Sequence, residues 1–149
     1  MSASPRLPTG VLVVDANIVL GVVLGKRSRP VFQMVWAKRD LATSARAREE
    51  VLGRTRGLEA RLPATTELVT DLLATIKIAD LPEYASKVEA AALVLRRAPA
   101  SRNGSTSDAH ILALAWTLDA DIWTHDRDFA GTGWPSWSSA NLQATLAAT

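Results

Sequence analysis

An uninterrupted aliphatic run, Val11-Leu12-Val13-Val14, stops at a carboxylate, Asp15, and this sets the tightest limit on how the chain can fold. Four branched residues without polar alternation suit a strand covered on both faces, as in a parallel sheet with helices on either side. A second run, Asp121-Ile122-Trp123-Thr124-His125-Asp126, lies far along the chain and also ends on an acid. In an open parallel sheet the carboxyl ends of the strands share one edge, and ligands bind there. Asp15 and Asp126 are therefore expected at the same edge.

Helical patterns fill the space between these runs. Asn17 to Leu24 reads as a short helix stopped by Gly25, and Ser28-Arg29-Pro30 opens another whose apolar stripe is Val31, Phe32, Val35 and Trp36. Leu41 to Thr43 reads as a short strand. Ser44 caps a helix running to about Gly57, with Val51, Leu52, Thr55 and Leu58 facing inward. Thr65 to Ala79 and Pro82 to Arg97 are expected as two further helices, and Ala98 to Ser107 as a loop. Asp108 to Leu118 carries the most continuous helical pattern. Ile122 to Thr124 is a strand, and a last short strand is expected around Trp137. The alternation predicts an α/β sandwich with a parallel sheet.

The chain has 149 residues, 48% of them hydrophobic, enough for one domain with a real core and too few for two. One domain spanning residues 1–149 is expected, with 1–10 as a flexible tail. No cysteine is present, which removes disulfides and thiolate metal sites, and two histidines make zinc a poor fit. Met1 to Gly10 lacks an apolar core of the signal-peptide kind, and no apolar stretch would span a bilayer, so a cytoplasmic location is expected. Net charge is only +2. Arginines nevertheless crowd the early third (Arg27, Arg29, Arg39, Arg46, Arg48, Arg54, Arg56, Arg61), and guanidinium forks suit phosphate oxygens. Each of them alone also fits a solvated helix face.

Four acids carry the chemistry: Asp15, Glu50, Asp108 and Asp126. Crowded at one sheet edge they would repel one another unless a hard divalent cation lay between them, which points to a Mg²⁺- or Mn²⁺-dependent phosphodiesterase. Each also has an ordinary structural use. Asp15 could cap the helix that follows. Asp108, on one stripe with Ile111, Leu112 and Ala115, could close a capping box with Ser105. Asp126 could belong to an acidic turn. Glu49 and Glu50 sit about 100° apart on a helix, so only one is expected to face the site, and Arg54 could pair with Glu50. Thr124 and Asn17 are neutral groups able to orient a carboxylate. His125 reads as a surface histidine and His110 as an ordinary, partly exposed one. The five tryptophans (36, 116, 123, 134 and 137) read mostly as core, with stacking on a base open to Trp134 and Trp137.

With these residues in view, the chain resembles the PIN-domain nucleases, and among them the VapC-type toxin ribonucleases, from Val11 to about Leu142. The motifs are Val13-Val14-Asp15-Ala16-Asn17, Arg48-Glu49-Glu50-Val51-Leu52, Asp108-Ala109-His110-Ile111-Leu112-Ala113-Leu114-Ala115, and Ile122-Trp123-Thr124-His125-Asp126-Arg127-Asp128-Phe129-Ala130-Gly131-Thr132-Gly133. The last is the most specific. The resemblance implies a three-layer sandwich with a mostly parallel sheet of four or five strands. It implies that Asp15, Glu50, Asp108 and Asp126 are the catalytic acids, with Thr124 as the hydroxyl position and Asn17 as the small polar one. Asp128 could supplement or replace Asp126. A homodimer and a cognate antitoxin are implied as partners.

The expected reaction is metal-assisted hydrolysis of an RNA phosphodiester. Asp15, Asp108 and Asp126 would hold Mg²⁺ or Mn²⁺, Glu50 would act directly or through water, and Arg46, Arg48 or Arg127 would grip flanking phosphates. Two rivals stand beside this. An Asp-nucleophile phosphatase would want a second Asp where Asn17 stands, and a non-catalytic nucleic-acid- or partner-binding module would keep the acids for stability alone.

Overall fold

The computed structural model describes residues 6–98, 107–125 and 129–149. Five strands form its sheet: β1 (Val11–Val14), β2 (Asp40–Ser44), β3 (Lys77–Ala79), β4 (Asp121–Trp123) and β5 (Ser136–Trp137). Seven α-helices surround them: α1 (Ala16–Leu24), α2 (Ser28–Lys38), α3 (Ala45–Thr55), α4 (Thr65–Ala74), α5 (Leu81–Arg96), α6 (Ala109–Leu118) and α7 (Ser139–Ala147). The expected α/β sandwich is what forms, and every strand pairing in it is parallel.

Strand order is β3-β2-β1-β4-β5. The chain steps outward from β1 through β2 to β3, then returns to lay β4 on the other side of β1. The order therefore reverses between β1 and β4, and the carboxyl ends of those two strands flank the crevice where open α/β sheets take ligands. Val13 pairs with Ile122 and Val14 with Trp123. The residues that follow each strand, Asp15 and Thr124, thus emerge side by side, and the Asp15 N–H donates to the Trp123 carbonyl at 2.9 Å.

Burial explains why these strands sit at the centre. Leu12, Val13, Val14 and Ile122 are wholly inaccessible, and removing each such side chain from water stabilises the fold by about 1.5–3 kcal/mol. Residues Ile111 to Ala115 of α6 are buried all round, as expected of a helix enclosed between a sheet and another helix. α6 packs on β1, β2 and β4 and is covered in turn by α5. The remaining helices contact one another, and there the Trp123 ring stacks on Phe32 of α2 with centroids 5.7 Å apart. The Trp123 indole N–H donates to Ser139 Oγ at 3.0 Å, tying β4 to α7.

Two expectations fail. The segment expected as one helix from Thr65 to Ala79 divides into α4 and the three-residue strand β3. Leu72, Leu73 and Ile76 have helical spacing, and a strand of three residues is too short to impose its own period. Register with β2, Thr43 beside Ile78, overrides the local signal. Trp36, expected in a helix's apolar stripe, is 50% exposed.

Residues 6–9 are anchored by a buried acid at the amino end of β4. Asp121 accepts from Arg6 Nη1 at 2.8 Å and Nη2 at 2.7 Å, from the Trp137 indole N–H at 2.8 Å and from the Thr9 N–H at 3.3 Å. Its own N–H donates to Thr9 Oγ1 at 2.8 Å. Arg39 adds a bond from Nε to the Pro8 carbonyl at 3.2 Å. Residues 6–9, read from sequence as part of a tail, are held against the sheet by these contacts.

Candidate functional site

Asp15 lies at the switch point because β1 ends there and α1 begins. Its extended backbone makes it the N-cap of α1, and the Ala16 N–H donates to Oδ1 at 2.8 Å. The second oxygen, Oδ2, accepts from the Thr124 hydroxyl at 3.0 Å. Asp15 is 4% exposed and Thr124 is buried, so this is a desolvated, charge-assisted contact of the stronger kind. Asn17 completes the group. Its amide Nδ2 donates to Thr124 Oγ1 at 3.2 Å and its Oδ1 accepts the His125 N–H at 3.3 Å. Capping and orientation are thus combined in one carboxylate; of the two neutral partners read from sequence, Thr124 bonds it and Asn17 bonds Thr124. His125 is exposed, as expected, and lies against Gly21, where a Cβ would come within 3.4 Å of Nε2.

A second group lies on the same edge of the sheet. Arg46, Glu49, Glu50, Ser107, Asp108 and His110 line a cleft of about 410 Å³ between the start of α3 and the start of α6. Ser44, at the carboxyl end of β2, joins the two helices. Its Oγ accepts the Ala47 N–H at 3.0 Å, capping α3, and lies 2.6 Å from His110 Nδ1 on α6. β2 runs beside β1, with Val13 opposite Ala42, so this bridge holds the first turn of α6 over the edge that carries Asp15. Asp108 is the N-cap of α6. The helix therefore begins at Ala109 with Asp108 as its cap, and Ser105, the partner expected for a capping box, lies outside the described residues.

Both adjacent glutamates line the cleft, so the expectation that only one would face it does not hold. Glu50 is paired with Arg54 at 3.1 Å, one turn along α3. Glu49 is the more exposed. His110 corrects a further expectation: it is 5% exposed, not a partly exposed residue. Burial, with the Arg46 charge nearby, pushes its pKa down to about 4, which leaves the ring neutral near pH 7. The signal was available in the sequence, since a helix apolar on every side buries whatever residue stands within it.

Asp126, Arg127 and Asp128 lie outside the described residues. Arg48 is exposed on α3, and Arg46 is exposed at the cleft. Among the described residues no three His, Asp or Glu side chains gather closely enough to hold a metal ion. The described donors at this edge, Asp15, Glu49, Glu50 and Asp108, are all carboxylates, a set that fits a hard cation. The indole N–H groups of Trp134 and Trp137, the two residues for which base stacking is open, donate to the Ala120 carbonyl and to Asp121, both at 2.8 Å.

A family model described as the PIN domain matches residues 13–147. The chain belongs to the PIN-domain family. Solved structures of PIN-like shape agree. The crystal structure of VapBC2 from Rickettsia felis, bound to a DNA fragment from its promoter, has a TM-score of 0.66 at 12% identity and covers 86% of this chain and 98% of that one. A toxin–antitoxin complex from Klebsiella pneumoniae gives 0.61 at 20% identity, covering 86% and 97%. VapC20 from Mycobacterium tuberculosis, a toxin that cleaves the sarcin–ricin loop, gives 0.59 at 18% identity, covering 83% and 95%. At such identities these likenesses establish the PIN fold alone. No curated protein matches the chain. Among the described residues of this PIN domain, no helix is long and apolar enough to cross a membrane.

Proposed function

We propose that this PIN domain is a divalent-metal-dependent endoribonuclease and the toxin of a toxin–antitoxin pair. The observation that carries the reading is Asp15: a buried carboxylate at the sheet's switch point, oriented by the Thr124 hydroxyl and the Ala16 N–H, on the edge to which α6 brings Asp108. Asp15, Asp108 and Asp126 are the residues that would hold Mg²⁺ or Mn²⁺, with Glu50 acting directly or through water and Asp128 in support. When bound, such an ion makes water nucleophilic near neutral pH and offsets the charge that develops on the phosphate in the transition state.

The chain's own side chains do the rest. Thr124 and Asn17 keep the Asp15 carboxylate in one orientation, which matters because misplaced reacting groups lose rate steeply. Arg46 at the cleft, with Arg48 and Arg127, would neutralise phosphates flanking the cut bond. RNA as substrate is favoured by the likeness to a toxin whose target is the sarcin–ricin loop, and a cognate antitoxin by the likenesses to toxin–antitoxin assemblies. A homodimer and a cytoplasmic location belong to the same reading.

The test is cleavage of a defined RNA in Mg²⁺ by wild type and Asp15→Asn, with and without chelator. Wild type is expected to cut only with the metal, and Asp15→Asn to be inactive with an unchanged circular-dichroism spectrum. Full activity in that variant refutes the assignment. Melting with and without Mg²⁺ separates an enzyme from a module that keeps its acids for stability, since a site-bound ion raises the midpoint.

A further inference from the structure

Two consecutive hydroxyl residues close β2, and both Thr43 and Ser44 are buried. Between them they reach three other elements. Thr43 Oγ1 donates to the Val14 carbonyl at 2.6 Å, one residue before Asp15. Ser44 Oγ accepts the Ala47 N–H at 3.0 Å, fixing the start of α3, and lies 2.6 Å from His110 Nδ1 in the first turn of α6. Each of these elements carries one of the acids assigned above: β1 leads into Asp15, α3 holds Glu50, and Asp108 caps α6.

The two helices pack chiefly on different neighbours. α3 lies against α1, α4, β2 and β3, whereas α6 lies against α5, β1, β2 and β4, so β2 is the support they share. Apolar contact is non-directional, and the residues around His110 on α6, Ala109 and Ile111 to Ala115, are buried and hydrophobic. A serine and a histidine add little stability there, because exchanging both partners of a buried hydrogen bond for apolar groups of the same shape is nearly neutral. What the bond adds is direction, since a satisfied buried polar pair selects one arrangement. It fixes the turn that begins at Asp108, whose carbonyl accepts the Ile111 N–H at 3.0 Å and the Leu112 N–H at 3.3 Å.

We propose that Ser44 and His110 are positioning residues, whose bond sets Asp108 on α6 in register with Glu50 on α3 and, through the Thr43 contact to β1, with Asp15. The carboxylates are then arranged for a hard cation before it arrives. This rests on the acids assigned in the nuclease reading above and adds what spaces them. Neither side chain has to touch RNA or the ion. Partners that orient metal-binding acids are worth about tenfold to a hundredfold in affinity or rate, and the lower figure suits a neutral bond.

The experiment uses the full chain: wild type, His110→Leu and Ser44→Ala, which break the bond, and His110→Asn, whose Oδ1 can stand where Nδ1 was. Hydrogen exchange by NMR without metal reads the first turn of α6. Mn²⁺ titration by electron paramagnetic resonance, without RNA, reads the acids, and RNA cleavage in Mg²⁺ gives kcat and KM. Both breaking variants should exchange the Ile111 and Leu112 amides about tenfold faster while Leu114 and Ala115 stay protected. They should also weaken Mn²⁺ binding about tenfold and lower kcat about tenfold, with KM for RNA within about twofold. His110→Asn should recover most of each loss. A folded breaking variant that binds Mn²⁺ as wild type does, or faster exchange spread evenly along α6, overturns the inference. So does a His110→Asn that loses as much as His110→Leu, or a failure of both breaking variants to fold. Wild type that binds Mn²⁺ without cutting RNA overturns the nuclease reading alone, and the exchange and Mn²⁺ measurements still decide the inference. Wild type that does neither overturns both.

Discussion

The Arg6–Asp121 contact gives the sharpest test of the fold, because it lies at the amino end of β4, away from the acids. The Asp121 side chain is 2% exposed, whereas that of Arg6 is 54% exposed. Hydrogen bonds to a buried charge contribute about 1.5–3 kcal/mol each in favourable cases, but the half-exposed guanidinium is screened and counts for less. Arg6→Ala leaves the Trp137 indole and the Thr9 N–H on the carboxylate, so a loss of about 2 kcal/mol is expected. Asp121→Ala strands the Trp137 donor and frees Arg6 as well, and should cost about 3–5 kcal/mol, as breaking a buried pair does. For a domain of this size, ~2–4 °C per kcal/mol converts that to a fall of roughly 10 °C in Tm. Urea unfolding and calorimetry of the two single variants and the double variant close a mutant cycle. An Asp121→Ala protein within about 0.5 kcal/mol of wild type, the scatter of surface substitutions, would refute the reasoning.

Other outcomes can be checked with the same equipment. Thr124→Val keeps the shape but removes the donor to Asp15 Oδ2. It should lower kcat for RNA cleavage about tenfold or more and stability by about 1.5–3 kcal/mol, the worth of a bond to a charged group; unchanged kcat would show that Thr124 does not orient the acid. His110 is held below its ordinary pKa at about 4, so the unfolded chain takes up the proton first. Its stabilising contribution is complete above about pH 6.5 and is lost as pH falls toward 4, a change of roughly 3 kcal/mol. Urea midpoints measured across that window should show this slope in wild type and a flatter one in His110→Gln. Gly53 lies in α3, and a Cβ there would meet nothing within 4 Å. Gly53→Ala should therefore raise stability by about 0.5–1 kcal/mol, read as a higher Tm.

The parts of this fold that could be read in advance are those where one residue class repeats without interruption. Leu12 to Val14 and Ile122-Trp123 are buried on both faces, so composition alone marks them as central strands, and Asp15 and Thr124 follow by chain polarity. Asn17 was legible for the same reason. β3 was not, since three residues carry no period and only pairing with Thr43 and Ser44 makes them a strand. The Ser44–His110 bridge was hidden because 66 residues separate its ends, and local pattern says nothing of contacts made through the fold. Asp121 opens the second run just before the expected strand, and its partnership with Arg6, 115 positions away, has no local mark.

Asp15 and Thr124 stand 109 positions apart, yet the hydroxyl of one fixes the carboxylate of the other. Translation therefore delivers the first acid long before the strand that orients it. A nascent polypeptide broken off at Leu118 already contains Asp15, Glu50 and Asp108, but lacks the hydroxyl that orients the first of them.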